Sequence, residues 1–301
     1  MPGRALPKQS LGGKCVPKQS LGTSCSVFLG GSLRARLGTL PPLSTSFRSG
    51  DLMPIDFSEE EISRYSRNTM LPEVGLDGQA RWAASRVAVV GAGGIGSATL
   101  YYLAAAGVGQ ISIIDGDAVE TSNLQRQILH NVHNLDRRKV ESAWEALTAL
   151  NPHCRLKLHD TRLDAANIRD ILKEHDLVLD ASDNFATRLL VADCCWREKL
   201  LLVSAAVGGF QGLLLVMDPA PGNPCYRCLL PQAPPAAPAE GILGAVAGVM
   251  GCLQAAEALK MLLGRKSELT RQMLAYDALR CRFRRVPREK RPDCPLCGGG
   301  K

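Results

Sequence analysis

The chain has 301 residues, 46% of them apolar and 22% charged, with a net charge of +7 and 11 cysteines. That length can bury a full core without covalent staples. Residues 1–52 carry seven Lys and Arg against Asp51 alone, so the rest of the chain is close to neutral and gives no electrostatic case for a nucleic-acid partner.

Residues 6–15 (LPKQSLGGKC) and 16–25 (VPKQSLGTSC) are near-identical decapeptides in tandem, followed by Gly-, Ser- and Pro-rich sequence. This stretch offers too little periodic apolar surface to offset the entropy of ordering it. It reads as a leader over 1–52, either a targeting peptide or translated upstream sequence ahead of a start at Met53, and the tandem repeat favours the second. The body, 53–301, is taken as one domain.

Ser58 followed by Glu61 is a capping-box pattern that opens a short helix in FSEEEISRYSRN. Next comes an apolar run at 87–90, a glycine turn, a helix through Leu103 and a second apolar run at 111–114. Further apolar runs lie in DLVLDASDN (176–184) and LLLVSAAV (200–207), each after a plausible helix. Alternating strands and helices predict an α/β fold, a Rossmann-like nucleotide-binding arrangement with a mainly parallel sheet. LLLVMDP and RQMLAYDA read as later strands of antiparallel sense, and residues 231–241 as a Pro-rich loop. GILGAVAGVMGCLQAAEALKMLLG meets Gln254, Glu257 and Lys260 before it is long enough to span a bilayer, so it reads as a buried helix with one polar stripe. On the same grounds Cys252 is expected to be buried and inert.

Gly91, Gly93, Gly94 and Gly96 fit G-x-G-x-x-G between a strand and a helix, where close backbone approach and free helix N–H groups suit a phosphate. Asp115 ends the second strand, where a carboxylate can hold ribose hydroxyls. That pattern alone suits NAD or FAD and an oxidoreductase. Asn123, Arg126 and Gln127 downstream, with Lys139 on the first turn of a helix, instead suit the greater charge of a triphosphate. Asp180 and Asp183 lie at the carboxyl end of a strand, where a carboxylate beside phosphates is a natural Mg²⁺ ligand. Each residue has an ordinary alternative: solvated charge for Arg126 and Lys139, a helix cap for Asp183, a structural role for Asp180.

RYSRN, GAGGIG, IIDGD, SNLQRQILH, KVESA, LDASDN, PCYRCL, GVMGCLQAAEALK and the final CPLC stand in this order. In that order the chain resembles the MoeB/ThiF/HesA family, the adenylyltransferases of ubiquitin-like sulfur carriers, over residues 55–298. The resemblance implies that Gly93, Asp115, Asn123, Arg126, Lys139 and Asp183 bind and activate Mg-ATP, and that Arg67 reaches the triphosphate of the neighbouring subunit in a homodimer. It implies adenylation of a carrier protein's C-terminal Gly-Gly carboxylate with release of pyrophosphate, sulfur coming from a separate donor.

Cys225, Cys228, Cys294 and Cys297 form two Cys-x-x-Cys pairs, which suit a closed, structural Zn²⁺ site, with unrelated thiols or a redox pair as alternatives. Residues 229–293 intervene, so a shared site requires the fold to bring the pairs together, as the resemblance implies. Members of the family often carry a cysteine in the loop after the first pair. Ala237 or Pro238 stands there in this chain, which implies adenylation without a covalent thiol link through that loop. Leu213 replaces a Gln found in many relatives, so contacts to the carrier tail are expected to differ. No sulfurtransferase domain is expected after the second pair. VSAAVGGF and GVMG lean toward the thiamine branch. YDALRCRFR and the loop without cysteine lean toward the molybdopterin branch, which is preferred. An inactive scaffold member and a tRNA-modification-type activator are the remaining family alternatives.

Overall fold

The computed structural model describes residues 56–235 and 241–298. The 1–52 leader, Met53, Ala237 and Pro238 lie outside them. The first helix, α1 (Glu59–Thr69), begins as expected. Ser58 Oγ accepts from Glu61 N, and Ser58 N donates to the Glu61 carboxylate at 3.0 Å. A second helix, α2 (Gly75–Ala84), leads into β1 (Arg86–Val90), followed by α3 (Gly94–Ala106) and β2 (Gln110–Ile114). Then come α4 (Lys139–Leu150), β3 (Arg155–His159), α5 (Ile168–Leu172), β4 (Leu177–Asp180), α6 (Phe185–Arg197) and β5 (Leu201–Gly208). The chain closes with β6 (Gln211–Met217), α7 (Tyr226–Leu229), α8 (Gly244–Leu262), β7 (Gln272–Asp277) and β8 (Arg282–Pro287).

All eight strands join one sheet in the order β3-β2-β1-β4-β5-β6-β7-β8. The pairs from β3 to β5 are parallel and those from β5 to β8 antiparallel, which agrees with the mixed sheet expected from the sequence. Strands β3 and β8 add to that expectation. RLKLH and RFRRVP carry exposed charges at the two sheet edges and lack the apolar runs that mark the inner strands.

Alternation along the inner strands sorts the core into two layers. Val87, Val89, Ile111, Ile113, Leu177 and Leu179 face α3, α4 and α8. Ala88, Val90, Ile114, Val178 and Leu202 face α5, α6 and the four cysteines of the paired motifs. The crossover from β1 therefore lies on one face and that from β4 on the other. This leaves a crevice at the carboxyl ends of β1 and β4, where open α/β sheets take ligands.

By length and hydropathy, α8 would suffice to cross a membrane, yet it packs on β5, β6 and α3 in the core. Its polar stripe is satisfied internally. Gln254 Nε2 donates to Asp180 O (2.8 Å) and Val203 O (2.9 Å), and Lys260 pairs with Glu257 at 2.6 Å. Helices α3 and α8 touch closely at Gly251, where an added Cβ would lie 2.4 Å from Ile95 O and 2.9 Å from Ala98 Cβ. Gly248, on the same helix, has nothing within 4 Å of such a Cβ. Gly251→Ala is therefore expected to cost about 1–3 kcal/mol through overpacking. Gly248→Ala should be neutral or stabilise by up to about 1 kcal/mol through helix propensity. Urea midpoints of the two variants test the contrast.

Candidate nucleotide site and cysteine cluster

The glycine turn closes the crevice tightly. Gly91 has φ +95°, and a Cβ there would stand 2.9 Å from Ala181 O at the end of β4. A Cβ at Gly96 would lie 2.0 Å from Gly91 O, so the turn folds against itself and against β4. Gly94 abuts Ala247 of α8, whereas the nearest atom to a Cβ on Gly93 is Gln127 Nε2 at 3.7 Å. The side of the turn at Gly93 thus faces the segment carrying Asn123, Arg126 and Gln127, and the first-turn amides of α3 begin beside it.

Asp115 follows β2 directly. Its Oδ2 accepts from Ala92 N at 2.8 Å and its Oδ1 from Asp117 N at 2.9 Å. Asn123 is buried in a short 3₁₀ turn (Thr121–Asn123), its Oδ1 facing Glu120 N at 3.4 Å. Arg126 Nη1 donates to Ser122 O at 2.9 Å. The Gln127 side chain is buried, with no partner for Oε1. Lys139 is the first residue of α4 and only 6% exposed, so the surface-charge alternative for it is set aside. Its Nζ lies 3.1 Å from Asp117 Oδ2, and its N–H donates to Asp117 O at 3.0 Å.

Asp117 itself was not among the residues singled out from the sequence, although the second carboxylate of DGD was the available signal. It links Asp115 to Lys139 and also takes Arg162 Nη2 at 3.0 Å. Burial raises its pKa, but Lys139 and Arg162 outweigh burial and hold the carboxyl below the usual range.

Across the crevice, Asp183 is exposed just past β4. The cap of α6 is Asn184, whose Oδ1 accepts from Thr187 N at 2.9 Å, so the capping alternative for Asp183 does not hold. Asp180 is wholly buried and structural. It accepts from Ser182 Oγ (2.6 Å) and Ser204 Oγ (2.8 Å), with Arg188 Nη1 at 3.5 Å.

Arg67 is not brought to the other site residues of its own chain. It is exposed on the last turn of α1, whose neighbouring Asn68 contacts Ala106 O at the C-terminal end of α3. The glycine turn is at the other end of that 13-residue helix, about 20 Å away at 1.5 Å per residue.

The two Cys-x-x-Cys pairs do meet, on the α6 side of the sheet. The Sγ atoms of Cys225 and Cys294 are 3.4 Å apart, those of Cys228 and Cys297 3.3 Å, and those of Cys225 and Cys228 3.9 Å. All four lie within 4.8 Å of one another. A tetrahedral site with 2.3 Å metal–sulfur bonds has sulfurs roughly 3.8 Å apart, so the donor set fits zinc. Burial pushes the Cys225 thiol up. At Cys294 burial is outweighed by the backbone N–H groups of Cys297 and Leu296, which bring the thiol down to about 7.

Beyond the crevice, an open cleft of about 280 Å³ runs over the antiparallel strands. Leu213 lines it with Ala206, Gln211, Ala275, Asp277 and Arg284.

A glycine turn with acidic, amide and cationic groups thus stands at the switch point of a mixed α/β sheet, with a four-cysteine cluster on the α6 face. The chain belongs to the ThiF family, whose model matches residues 65–296. It is 42% identical over 253 residues to the SAMP-activating enzyme E1 of Haloferax volcanii, covering 82% of this chain and 93% of that one. It is 43% identical over 251 residues to the sulfur carrier protein adenylyltransferase of Thermus thermophilus, covering 80% and 93%. It is 44% identical to the bovine adenylyltransferase and sulfurtransferase MOCS3, with 89% of this chain matched but only 61% of the relative's length. Among solved structures, Escherichia coli MccB with MccA-N7isoASN shares the fold at TM-score 0.70 and 20% identity, over 81% of this chain and 76% of that one.

One expectation is corrected. Cys252 is exposed, because the buried stripe of α8 runs through Val246, Ala247, Met250, Gly251, Gln254 and Ala255 and leaves position 252 on the outer side. Among the described thiols outside the cluster, Cys252 and Cys281 are exposed, whereas Cys154, Cys194 and Cys195 are buried. Burial pushes the Cys154 thiol up to about 12. Iodoacetamide should therefore alkylate Cys281 and Cys252 in the native protein and reach Cys154 and Cys195 only in denaturant, as read by peptide mass spectrometry.

Proposed function

We propose that this protein adenylates the C-terminal glycine carboxylate of a ubiquitin-like sulfur carrier. A carboxylate oxygen attacks the α-phosphorus of ATP, the bond from that phosphorus to the β-phosphate's bridging oxygen breaks, and pyrophosphate leaves an acyl-adenylate. The observation that carries the reading is the grouping of Asp115, Asn123, Arg126 and Lys139 around the glycine turn, with Asp183 across the crevice, in a ThiF-family chain. Of the two relatives matched over 93% of their length, one is named a sulfur carrier protein adenylyltransferase and the other a SAMP-activating enzyme E1, which supports the reading. The oxidoreductase alternative leaves Lys139, Arg126 and the cysteine cluster without a role, and the scaffold alternative leaves an intact set of charged groups unused.

In this reading the turn amides hold phosphate, Asp115 holds the ribose and Arg126 and Lys139 neutralise charge that develops on the phosphates. Most of the acceleration comes from positioning and electrostatics. The attacking carboxylate is already ionised at neutral pH, so no general base is required. Asp183 would hold Mg²⁺, which supplies further charge neutralisation. Cys225, Cys228, Cys294 and Cys297 would hold a structural zinc that fastens the C-terminal segment to the α6 face. Arg67, remote from its own crevice, serves the site of a second copy in a homodimer. The cleft past Leu213 receives the carrier's extended tail. Sulfur arrives from a separate donor, and the molybdopterin-type carrier is preferred over the thiamine-type.

ATP–pyrophosphate exchange by the full chain, with each candidate carrier ending in Gly-Gly, tests the proposal. Exchange should appear with one carrier and fall at least about 100-fold in Asp183→Ala. A folded, metal-replete protein that exchanges with none of them would sink it. Metal analysis should find one zinc per chain, and Cys294→Ser should lose it and lower the melting temperature by several degrees, roughly the effect of 1–2 kcal/mol.

A further inference from the structure

His130 closes the segment that carries Asn123 and Arg126, and it is 5% exposed. Its Nε2 lies 2.9 Å from Ala92 O, inside the glycine turn, and its Nδ1 lies 2.8 Å from Ser142 Oγ, three residues beyond Lys139 on α4. A carbonyl oxygen only accepts, so Nε2 carries the hydrogen and Nδ1 accepts from the serine hydroxyl. Ala92 N in turn donates to Asp115 Oδ2. The Ala92 residue is thereby gripped at both polar groups, its N–H by the carboxylate after β2 and its C=O by the imidazole.

We infer that His130 is a positioning residue for the nucleotide, pinning the glycine turn to α4 so that the turn amides and Lys139 address the same phosphate chain. The inference rests on the ATP reading above. Two observations and one general principle support it. The imidazole joins the cationic segment, the turn and the lysine helix through two hydrogen bonds. Both of its nitrogens are satisfied by uncharged partners, the condition under which a buried polar network rigidifies its surroundings. Misplacement of a binding group by about 1 Å can cost 100-fold in rate, so such rigidity has a catalytic readout.

The charged groups bearing on the ring are Lys139 from α4, which opposes a proton on it, and Asp115 from the end of β2, which favours one. Burial is the largest influence, and with Lys139 it outweighs the Ala92 carbonyl and Asp115, so the imidazole titrates below the usual histidine range. The neutral, turn-holding form therefore prevails at every pH above the lowered value and is lost as pH falls through it. Protonation would turn Nδ1 into a donor and force the Ser142 hydroxyl around.

The test is calorimetric binding of a non-hydrolysable ATP analogue to the full chain between pH 5 and 8, for wild type, His130→Ala and His130→Gln, with circular dichroism to verify folding. The glutamine amide offers an N–H to Ala92 and a carbonyl oxygen to Ser142, and it does not titrate. His130→Ala should weaken binding by about tenfold or more at pH 7.5, the scale of one lost buried hydrogen bond. His130→Gln should restore most of the affinity at pH 7.5. Folded His130→Ala binding within twofold of wild type at that pH would overturn the inference, as would His130→Gln that binds no tighter than His130→Ala. Should His130→Ala fail to fold, Ser142→Ala, which removes the α4 end of the bridge, decides: binding within twofold of wild type overturns the inference. Wild type that binds no ATP analogue at any pH would refute the nucleotide reading itself.

Discussion

The amide of Gln254 holds the functional end of the molecule together. It donates to the carbonyls of Asp180 and Val203 on two adjacent strands and accepts from Thr99 on α3 at 2.8 Å. One wholly buried side chain thus fixes α8 to the carboxyl end of β4, to Val203 within β5, and to the helix that begins at the glycine turn. The neighbouring Gly251 allows α3 and α8 to approach until backbone meets side chain. With all of its donors and acceptors used, Gln254 removes the penalty that a polar group in an apolar layer would otherwise carry.

The opposite face has its own polar anchor. Asp180, Ser182, Ser204 and Arg188 form a closed buried set beneath the turn that presents Asp183. Tyr226, between Cys225 and Cys228, is buried, and Arg188 and Ser204 of the same set act on its hydroxyl. The cysteine cluster and the Asp183 turn therefore share a common floor. Arg288, buried behind the cluster, donates to Val216 O and Thr270 O while its Nε and Nη1 find no partner. Burial brings its pKa down to about 10, while Cys228 and Cys225 pull it back up, so it supplies positive charge where four thiolates would gather negative charge.

The parts of this architecture that were legible in the sequence were those with a strong local signal. The glycine turn lies between apolar runs, and the Ser58–Glu61 box is a local reciprocal bond, so both can be read without knowledge of the fold. The edge strands were not legible, because RLKLH and RFRRVP are half solvent-facing and half charged, and their strand character comes from one paired neighbour. The individual nucleotide residues stood out by charge and position. Asp117 and His130 did not, because their importance lies in what they hold, and a hydrogen bond from residue 130 to residue 92 has no local trace. The exposure of Cys252 is hidden for a related reason: apolar composition marks α8 as a core helix but not which of its sides faces inward.

The last strand carries a consequence for how this protein coexists with copies of itself. A sheet of eight strands that stopped at an apolar edge would present unpaired backbone groups as a template for further strands. Here the closing strand bears Arg282, Arg284 and Arg285, with exposed side chains on both of its faces. Stacking that edge against its own image would bring guanidinium groups of like charge into register, where direct cross-strand neighbours repel. The arginine-rich border thus sets a limit on growth of the sheet by strand addition.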